Sequence, residues 1–588
     1  MKRIKLLTLI LIAVGCSRGN DVLWLANGPV EPEGTPYYEY RILDHWDNLD
    51  DTVERGYAGP SIWSWTDEVI PAERIHTYGR LNKSIGINGS VLNNVNANPK
   101  ILDAEHIARV AKIADILREY GIKTYLSINF ATPLALQELP TADPLDPAVT
   151  AWWKAKADEI YAAIPDFGGF LVKASSEGQP GPQDFGRSHV DGANMLAEAL
   201  APHGGIVMWR AFVYSSTSPD RANQAVEEFK HLDGQFADNV IIQIKNGPVD
   251  FQAREPVNPL FFNLDRTASM PELQVTQEYL GQSMHLAYLG PMWEEFFGTL
   301  FSNGCDDSIA IAGVANTGQE STWCGHIFSQ ANWYAFGRLA WDPTLTSEQI
   351  ANEWIHLTFR KPALCSKSCW ERKFVSPVKE MMMSSREAVV NYTMPLGFHH
   401  LFNGSHYGPG PWQRSIRPDW SPLYYHKAGE DGVGFDRTVA TGSGNTGQYP
   451  EPLASMYENI ETCPENLILW FHHIPWDYRM KNGNTIWEDI CQHYNDGIET
   501  VRGYIETWAG VKKYVDADTW NKVQERLEIQ EADARWWRDA CVQYFQRFSK
   551  MDVPEDLLQP EIPLDTLYRR RGDPPRLRDD INVEDSSF

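Results

Sequence analysis

The chain has 588 residues, long enough for a large core and for more than one domain. Its composition, 43% hydrophobic and 22% charged, excludes a disordered, collagenous or disulfide-stapled protein. Lys+Arg of 52 against Asp+Glu of 78 gives a net charge of −26, which argues against nucleic acid as a partner and against charge-driven binding to anionic lipid. The 22 Trp, 24 Tyr and 24 Phe are compatible with binding flat polar molecules such as sugar rings, although most aromatic rings in any globular chain belong to its core.

Residues 1–16 read MKRIKLLTLILIAVGC. Lys2, Arg3 and Lys5 precede a short apolar run, Leu6 to Val14, too short to span a bilayer as a mature helix. The run ends in Ala13-Val14-Gly15-Cys16 and resembles a lipoprotein signal that would leave Cys16 lipidated and anchor the protein to a membrane. An ordinary secretory signal is the alternative. Both predict export, to the periplasm or the cell surface. No later apolar run is long enough to cross a membrane. The other cysteines are Cys305, Cys324, Cys365, Cys369, Cys463, Cys491 and Cys541, scattered rather than laid out as a disulfide framework. Whether Cys365 and Cys369 pair is left open. No second Cys or His pair lies at zinc-ligand spacing, so no metal is expected. The pairs His399-His400 and His472-His473 read as loop or packing residues.

Residues 17–37 read as a linker. Short apolar runs then recur: Tyr40-Leu43, Ile85-Ile87, Thr124-Ile128, Gly169-Val172, Ile206-Trp209, Val240-Ile244, Leu273-Thr276 and Ile309-Ala312. Each is bounded by Gly, Asn or polar residues, as a fully buried strand would be. Amphipathic stretches lie between them. The clearest follows Asp103, an N-cap, with Ile107, Val110, Ala111, Ala114 and Leu117 on one face and Gly121 after the end. Similar patterns cover about 149–163, 191–201 and 220–231. Eight alternations predict a (β/α)₈ barrel over 38–345, with a doubly wound sheet as the alternative. No phosphate-cradling glycine motif is present: Gly178-Gln179-Pro180-Gly181 lacks the required spacing, and no cofactor is expected. Helical patterns over 346–360, 371–391, 485–508 and 516–549 predict a mainly helical C-terminal domain, 346–552. Within it, 395–450 is rich in Gly, Pro, His and aromatic residues and reads as long functional loops. Residues 553–588, rich in Pro and charge, read as an extended tail.

A barrel of this kind carries its active site at the C-terminal strand ends. The polar residues just past each run are Asp44, His45, Trp46 and Asp47; Asn88, Asn93, Asn94 and, beside them, Val95; Lys173 and Glu177; Arg210; Lys245, Asn246 and Asp250; Glu278; and Asn316. Glu177, Asp250 and Glu278 come from three strand ends and can converge on one pocket. Glycoside hydrolysis needs such a set: one carboxylic acid to protonate the leaving oxygen, and a second carboxylate as nucleophile or as activator of water. Lys173, Arg210 and Lys245 converge on the same pocket and suggest an anionic group on the substrate, with Arg210 suited to a bidentate grip on a carboxylate. A structural ion-pair network at the barrel mouth is the competing explanation.

These residues sit in long motifs. RILDHWDNLDDTVERGYAGPSIW at 41–63, NGSVLNNVNAN at 88–98, FLVKASSEGQPGPQDFGRSHVDGANMLA at 170–197, VMWRAFVY at 207–214 and IIQIKNGPVDFQAREP at 241–256 are followed by QVTQEYLGQ at 274–282, HHLFNGSHYGPGPW at 399–412 and DWSPLYYHKAGEDGVGFDR at 419–437. Over 38 to about 550 the chain resembles the α-glucuronidases of glycoside hydrolase family 67. The resemblance implies removal of α-1,2-linked glucuronic acid, often 4-O-methylated, from the non-reducing terminal xylose of glucuronoxylo-oligosaccharides. It also implies inversion at the anomeric carbon, no metal, and a (β/α)₈ barrel followed by a helical domain.

By motif, Glu177 is the general acid, and Asp250 and Glu278 are the pair that activates water, with the base between them left open. The resemblance implies that Lys173, Arg210 and Lys245 are ligands of the uronate carboxylate. Val95 lines the 4-O-methyl pocket and Trp46 its wall. The resemblance implies that His406, Trp412 and Asp436, in the long loops, close the site. As the acid, Glu177 should carry a raised pKa, although the nearby cations oppose this. The family's usual N-terminal domain is expected to be absent, and a homodimer through the helical domain is expected. Two other functions compete: a non-catalytic surface lipoprotein that binds acidic xylan fragments, and an exo-glycosidase of altered sugar specificity.

Overall fold

The computed structural model describes residues 32–212 and 218–575; the expected signal and Cys16 lie outside them. Eight parallel strands close into a barrel in sequence order: β1 (Tyr40–Asp44), β2 (Gly89–Val91), β3 (Lys123–Ile128), β4 (Gly169–Val172), β5 (Ile206–Arg210), β6 (Val240–Lys245), β7 (Ser269–Gln274) and β8 (Ala310–Val314). Closure is made by β1 on β8, in register from Tyr40 with Ala310 to Asp44 with Val314. The expected (β/α)₈ architecture with a helical C-terminal region is therefore the observed one, and the doubly wound alternative is not. The strands are almost wholly buried because helices cover them outside and side-chain layers fill them inside, which is why they read as continuous apolar runs.

Local sequence explains the elements. Helix Ala104–Arg118 starts at Asp103, whose side chain accepts the His106 N–H, and buries Ile107, Val110, Ile113, Ala114, Ile116 and Leu117. Gly169 opens β4 at φ +136°, and a Cβ there would lie 1.9 Å from the Ile206 carbonyl oxygen; only glycine allows β4 and β5 to approach so closely.

Two strands are displaced from expectation. Ile85–Ile87 is the turn entering β2, because the Ile85 N–H bonds back to the Asn82 carbonyl and the Gly86 N–H to the Lys83 carbonyl, which ends the preceding helix. Asn88 therefore lies at the start of β2, at the foot of the barrel, where it accepts from Arg41 N–H and donates to the Glu39 carbonyl. It is not a mouth residue. β7 begins at Ser269, earlier than the apolar run Leu273-Thr276. The β6–β7 crossover holds a 3₁₀ turn, Pro259–Phe262, in place of a long helix.

The C-terminal region is built on the helices Ser376–Thr393, Ile486–Val511 and Ala517–Ser549. A capping box, Thr485 with Glu488, starts the second of these. The turn into the third is held by reciprocal bonds, Trp508 Nε1 to the Trp520 carbonyl and Trp520 Nε1 to the Trp508 carbonyl, each 3.0 Å. Trp487, Trp508 and Trp537 are fully buried along this seam, each contributing about 1.5–3 kcal/mol or more of apolar burial.

The stretch 553–575, expected as an extended tail, packs against the helical region. It runs along the surface of helix Ala517–Ser549, carries a short helix Leu564–Leu567 and buries Leu567. Apolar residues spaced among the prolines gave it a surface to bind. Cys365 and Cys369 are free thiols. No helix among the described residues is long and apolar enough to cross a membrane.

Candidate active site

The C-terminal strand ends open into one pocket of two compartments. The outer, about 330 Å³, is lined by Arg221, Phe402, Asn403, Gln413, Arg414, Ser415 and Trp420 among others. The inner, about 60 Å³, is lined by Trp46, Glu54, Val95, Asn96, Lys173, Arg210, Phe212, Lys245 and Glu278. Arg55, Glu177, Asp250, Tyr279 and His406 belong to both and form the boundary. The structure thus brings together Trp46, Val95, Lys173, Glu177, Arg210, Lys245, Asp250 and Glu278.

It does not bring in Trp412, whose ring packs against Tyr544 and Tyr568; the residues directly after it reach the outer compartment instead. Asp436 is also misplaced. Its carboxylate accepts from Thr438 and Thr441 and fixes its own loop.

Each cation named from sequence is already paired. Lys173 Nζ donates to Glu177 Oε2 and, at 2.8 Å, to Asn96 Oδ1. Lys245 Nζ donates to Asp250 Oδ1 at 2.7 Å. Arg210 spends its bidentate face on Glu272, with Nε to Oε2 at 3.0 Å and Nη2 to Oε1 at 2.8 Å. The expected bidentate grip of Arg210 on a ligand is therefore corrected: that face is taken by a residue inside the barrel. The three cations surround the Phe212 ring, Lys245 Nζ lying 3.4 Å from its centroid, so the ring face adds cation–π stabilisation.

The carboxylates are oriented by different partners. Tyr279 donates to Asp250 Oδ2 at 2.6 Å. Glu278 Oε1 meets Arg55 Nε at 2.9 Å and His406 Nδ1 at 2.8 Å, and Oε2 accepts from Gln274. The Tyr279 and His406 rings stack at 4.6 Å. Glu177, Arg55 and His406 all adopt left-handed backbone, at φ 50°, 54° and 63°. Residues with side chains keep that conformation only where the surrounding structure holds them, and such strain concentrates at functional sites.

Electrostatics reverses one expectation. Burial pushes the Glu177 carboxyl up, but Lys173, and behind it Lys245, pull it further down, so it lies below its ordinary value. The raised pKa expected of an acid is not what this arrangement gives. Burial also opposes ionisation of Asp250, yet Lys245, Arg221 and the Tyr279 hydroxyl hold it far below the carboxylate range.

Beneath the pocket, Asp44 is pushed up to about 8 by burial and by the nearby Glu272 and accepts from Gln243 at 2.8 Å. Behind Asp250, the buried Glu255 accepts the N–H groups of Val249 and Asp250 at 2.9 and 2.8 Å and meets His399 Nε2 at 2.9 Å. These contacts fix the loop that presents Asp250. Among the described residues no cluster of three or more His, Cys, Asp or Glu side chains is placed to hold a metal ion.

Arg55, Asn96, Phe212, Tyr279 and Glu255 escaped the sequence reading. All lie inside or beside the motif segments quoted above, but reading only the residues that follow each strand passes over a loop's interior and a second layer such as Glu255.

The loop at 403–415 is held from behind by the C-terminal stretch. The Gly572 carbonyl accepts the Gly408 N–H at 3.1 Å and the Ser405 hydroxyl at 2.6 Å, and Tyr568 packs edge-on to Trp412. Removing residues 564–588 is expected to free this loop. Two hydrogen bonds at roughly 1 kcal/mol each predict cleavage within 403–415 faster by about 10–30-fold in limited proteolysis. Unchanged cleavage would show that the stretch does not restrain the loop.

A closed (β/α)₈ barrel with a carboxylate-and-cation pocket at its C-terminal mouth has the layout of a glycoside-hydrolase barrel. Residues 28–323 match the glycosyl hydrolase family 67 middle domain and residues 324–558 the family 67 C-terminus; the chain belongs to glycosyl hydrolase family 67. It is 44% identical over 566 residues to α-glucuronidase A of Emericella nidulans, covering 90% of this chain and 65% of that protein. It is 42% identical over 546 residues to the probable α-glucuronidase A of Aspergillus terreus, covering 88% and 63%. The chain spans just under two thirds of the length of these relatives.

Proposed function

We propose that the protein is an inverting α-glucuronidase that releases α-1,2-linked, optionally 4-O-methylated, glucuronic acid from the terminal xylose of glucuronoxylo-oligosaccharides. The observation that carries this reading is the divided pocket: Glu177 and Asp250 stand at the boundary, with Lys173, Arg210 and Lys245 in the smaller, inner compartment. In this reading the uronate enters at the inner compartment, its carboxylate toward Lys173 and Lys245 and its ring toward Trp46 and Val95. The xylose chain occupies the outer compartment, where Trp420 and Arg414 lie. The scissile bond then falls beside Glu177, which protonates the xylose oxygen as the bond breaks. Water on the opposite face of the sugar is activated by the pair Asp250 and Glu278.

Export, lipid attachment at Cys16 and homodimerisation through the C-terminal helices form part of the same proposal. The residue pattern at 1–16 supports the first two, and the family likeness supports the third. Incubation with methylglucuronoxylo-oligosaccharides, followed by NMR, tests the activity. Free 4-O-methylglucuronate should appear first as the β-anomer. First-formed α-anomer would exclude inversion. Binding without release would make the protein a receptor for acidic xylan fragments.

A further inference from the structure

An entering uronate carboxylate needs cations, and the cations lining the inner compartment are already paired. Lys173 is held by Glu177 and Asn96, Lys245 by Asp250, and Arg210 by Glu272. Arg210 and Glu272 are both buried and bidentate, so that pair does not yield. The two lysines face the pocket and carry single contacts to their carboxylates.

The two carboxylates differ in what remains once a lysine turns away. Asp250 keeps the Tyr279 hydroxyl on Oδ2 and the field of Arg221. Among the described residues, Lys173 supplies the one hydrogen bond that reaches the Glu177 carboxylate. We infer that Lys173 is a counter-ion shared between enzyme and substrate: it holds Glu177 as a carboxylate in the free enzyme, passes to the uronate carboxylate on binding, and so makes Glu177 take up a proton from solvent. One negative charge enters and one proton follows, so the site keeps its net charge. The acid is armed only when a substrate bearing a carboxylate is present, and a neutral sugar of the same shape would meet an ionised Glu177. The inference rests on the α-glucuronidase reading and deepens it.

The surroundings of Glu177 support the direction. Lys245 and Asp250 face it from the end of β6, Arg210 from β5, Arg55 and Glu54 from the loop after β1, and Glu278 from the end of β7. His406, Arg414 and Arg221 face it across the outer compartment. In the free enzyme Lys173 and then Lys245 hold the Glu177 carboxyl below its ordinary value against burial. Once the lysines serve another anion, burial, Asp250 and the new carboxylate all favour the protonated form.

The test is isothermal titration of the full chain with free glucuronate, in buffers of different ionisation enthalpy at mildly acidic pH. The expected result is uptake of about one proton per glucuronate bound, with none on titration with glucose at any concentration that binds. Glu177→Gln should keep glucuronate binding and abolish the uptake. Binding with no proton uptake overturns the inference and leaves the α-glucuronidase reading standing. Uptake that persists in Glu177→Gln assigns the proton to another group and also overturns it. Failure of the unmodified chain to bind glucuronate at all overturns the reading itself, and the inference with it.

A second readout is kinetic. The descending limb of kcat/KM follows free Glu177 and that of kcat follows Glu177 in the complex. The kcat limb should therefore lie at higher pH. Coincident limbs would count against the shared lysine.

Discussion

Replacing Glu177 by glutamine is expected to lower kcat on glucuronoxylo-oligosaccharides by about 10²–10⁴-fold, the range of a lost general acid. The variant should still bind uronate, because the glutamine side chain keeps the volume and frees Lys173 for the ligand. The loss should be much smaller on an aryl glucuronide, whose phenolic leaving group departs without a proton. That contrast separates acid catalysis from a change in pocket shape, which would slow both substrates alike. Equal losses on the two substrates, or full activity on the natural one, would remove Glu177 from the role. Position supports it: Glu177 lies on the boundary between the compartments, on left-handed backbone at φ 50°.

The second large effect is expected at Arg210. A guanidinium that served only a ligand would be removed at little cost to the fold. Here Arg210 is 2% exposed and its partner Glu272 is fully buried, with the uncharged form of Asp44 favoured nearby. Burial works against the Arg210 charge, and Glu272 outweighs it and holds the guanidinium protonated. Arg210→Met leaves the Glu272 carboxylate without its partner inside the barrel, which costs about 3–5 kcal/mol. Chemical denaturation should show this as a clear loss of stability. The double variant Arg210→Met, Glu272→Leu should recover most of it, because a buried ion pair replaced as a unit by apolar groups is often close to neutral. Recovery of glucuronate binding along with stability would show that Arg210 holds up the pocket floor and does not contact the ligand. Recovery of stability alone would place its remaining edge on the uronate.

The overall charge of −26 says little about the ligand. The surface is acidic, yet the pocket gathers Arg55, Lys173, Arg210, Arg221, Lys245 and Arg414 against Glu54, Glu177, Asp250 and Glu278. A local field of this kind depends on which strand ends converge, and net charge carries no trace of it. The aromatic count behaves similarly. Trp63, Trp153, Trp209, Trp293, Trp333 and Trp354 are among the largest buried side chains, and among the pocket residues Trp46 and Trp420 are the tryptophans.

What the sequence determined by itself was the barrel, the helical region after it, and the convergence of Glu177, Asp250, Glu278, Lys173, Arg210 and Lys245. The physical reason is that buried parallel strands must be apolar throughout and must alternate with helices at a regular interval. The chain then has to put its chemistry just past each strand. Motif resemblance assigned roles to those residues and missed at Trp412 and Asp436, because residues of an aperiodic loop carry no signal of the direction they face. Only the tertiary structure decided the pairing. Contacts such as Arg210 with Glu272, Gly572 with Ser405, and Glu255 with the Asp250 backbone join positions far apart in sequence, or on opposite sides of a turn. They exist because leaving a buried polar group unpaired is costly, and the fold supplies these partners. The same rule decided the state of Glu177. Its residue type and position were legible, but its charge depends on whether Lys173 or burial prevails, and that is a matter of distance.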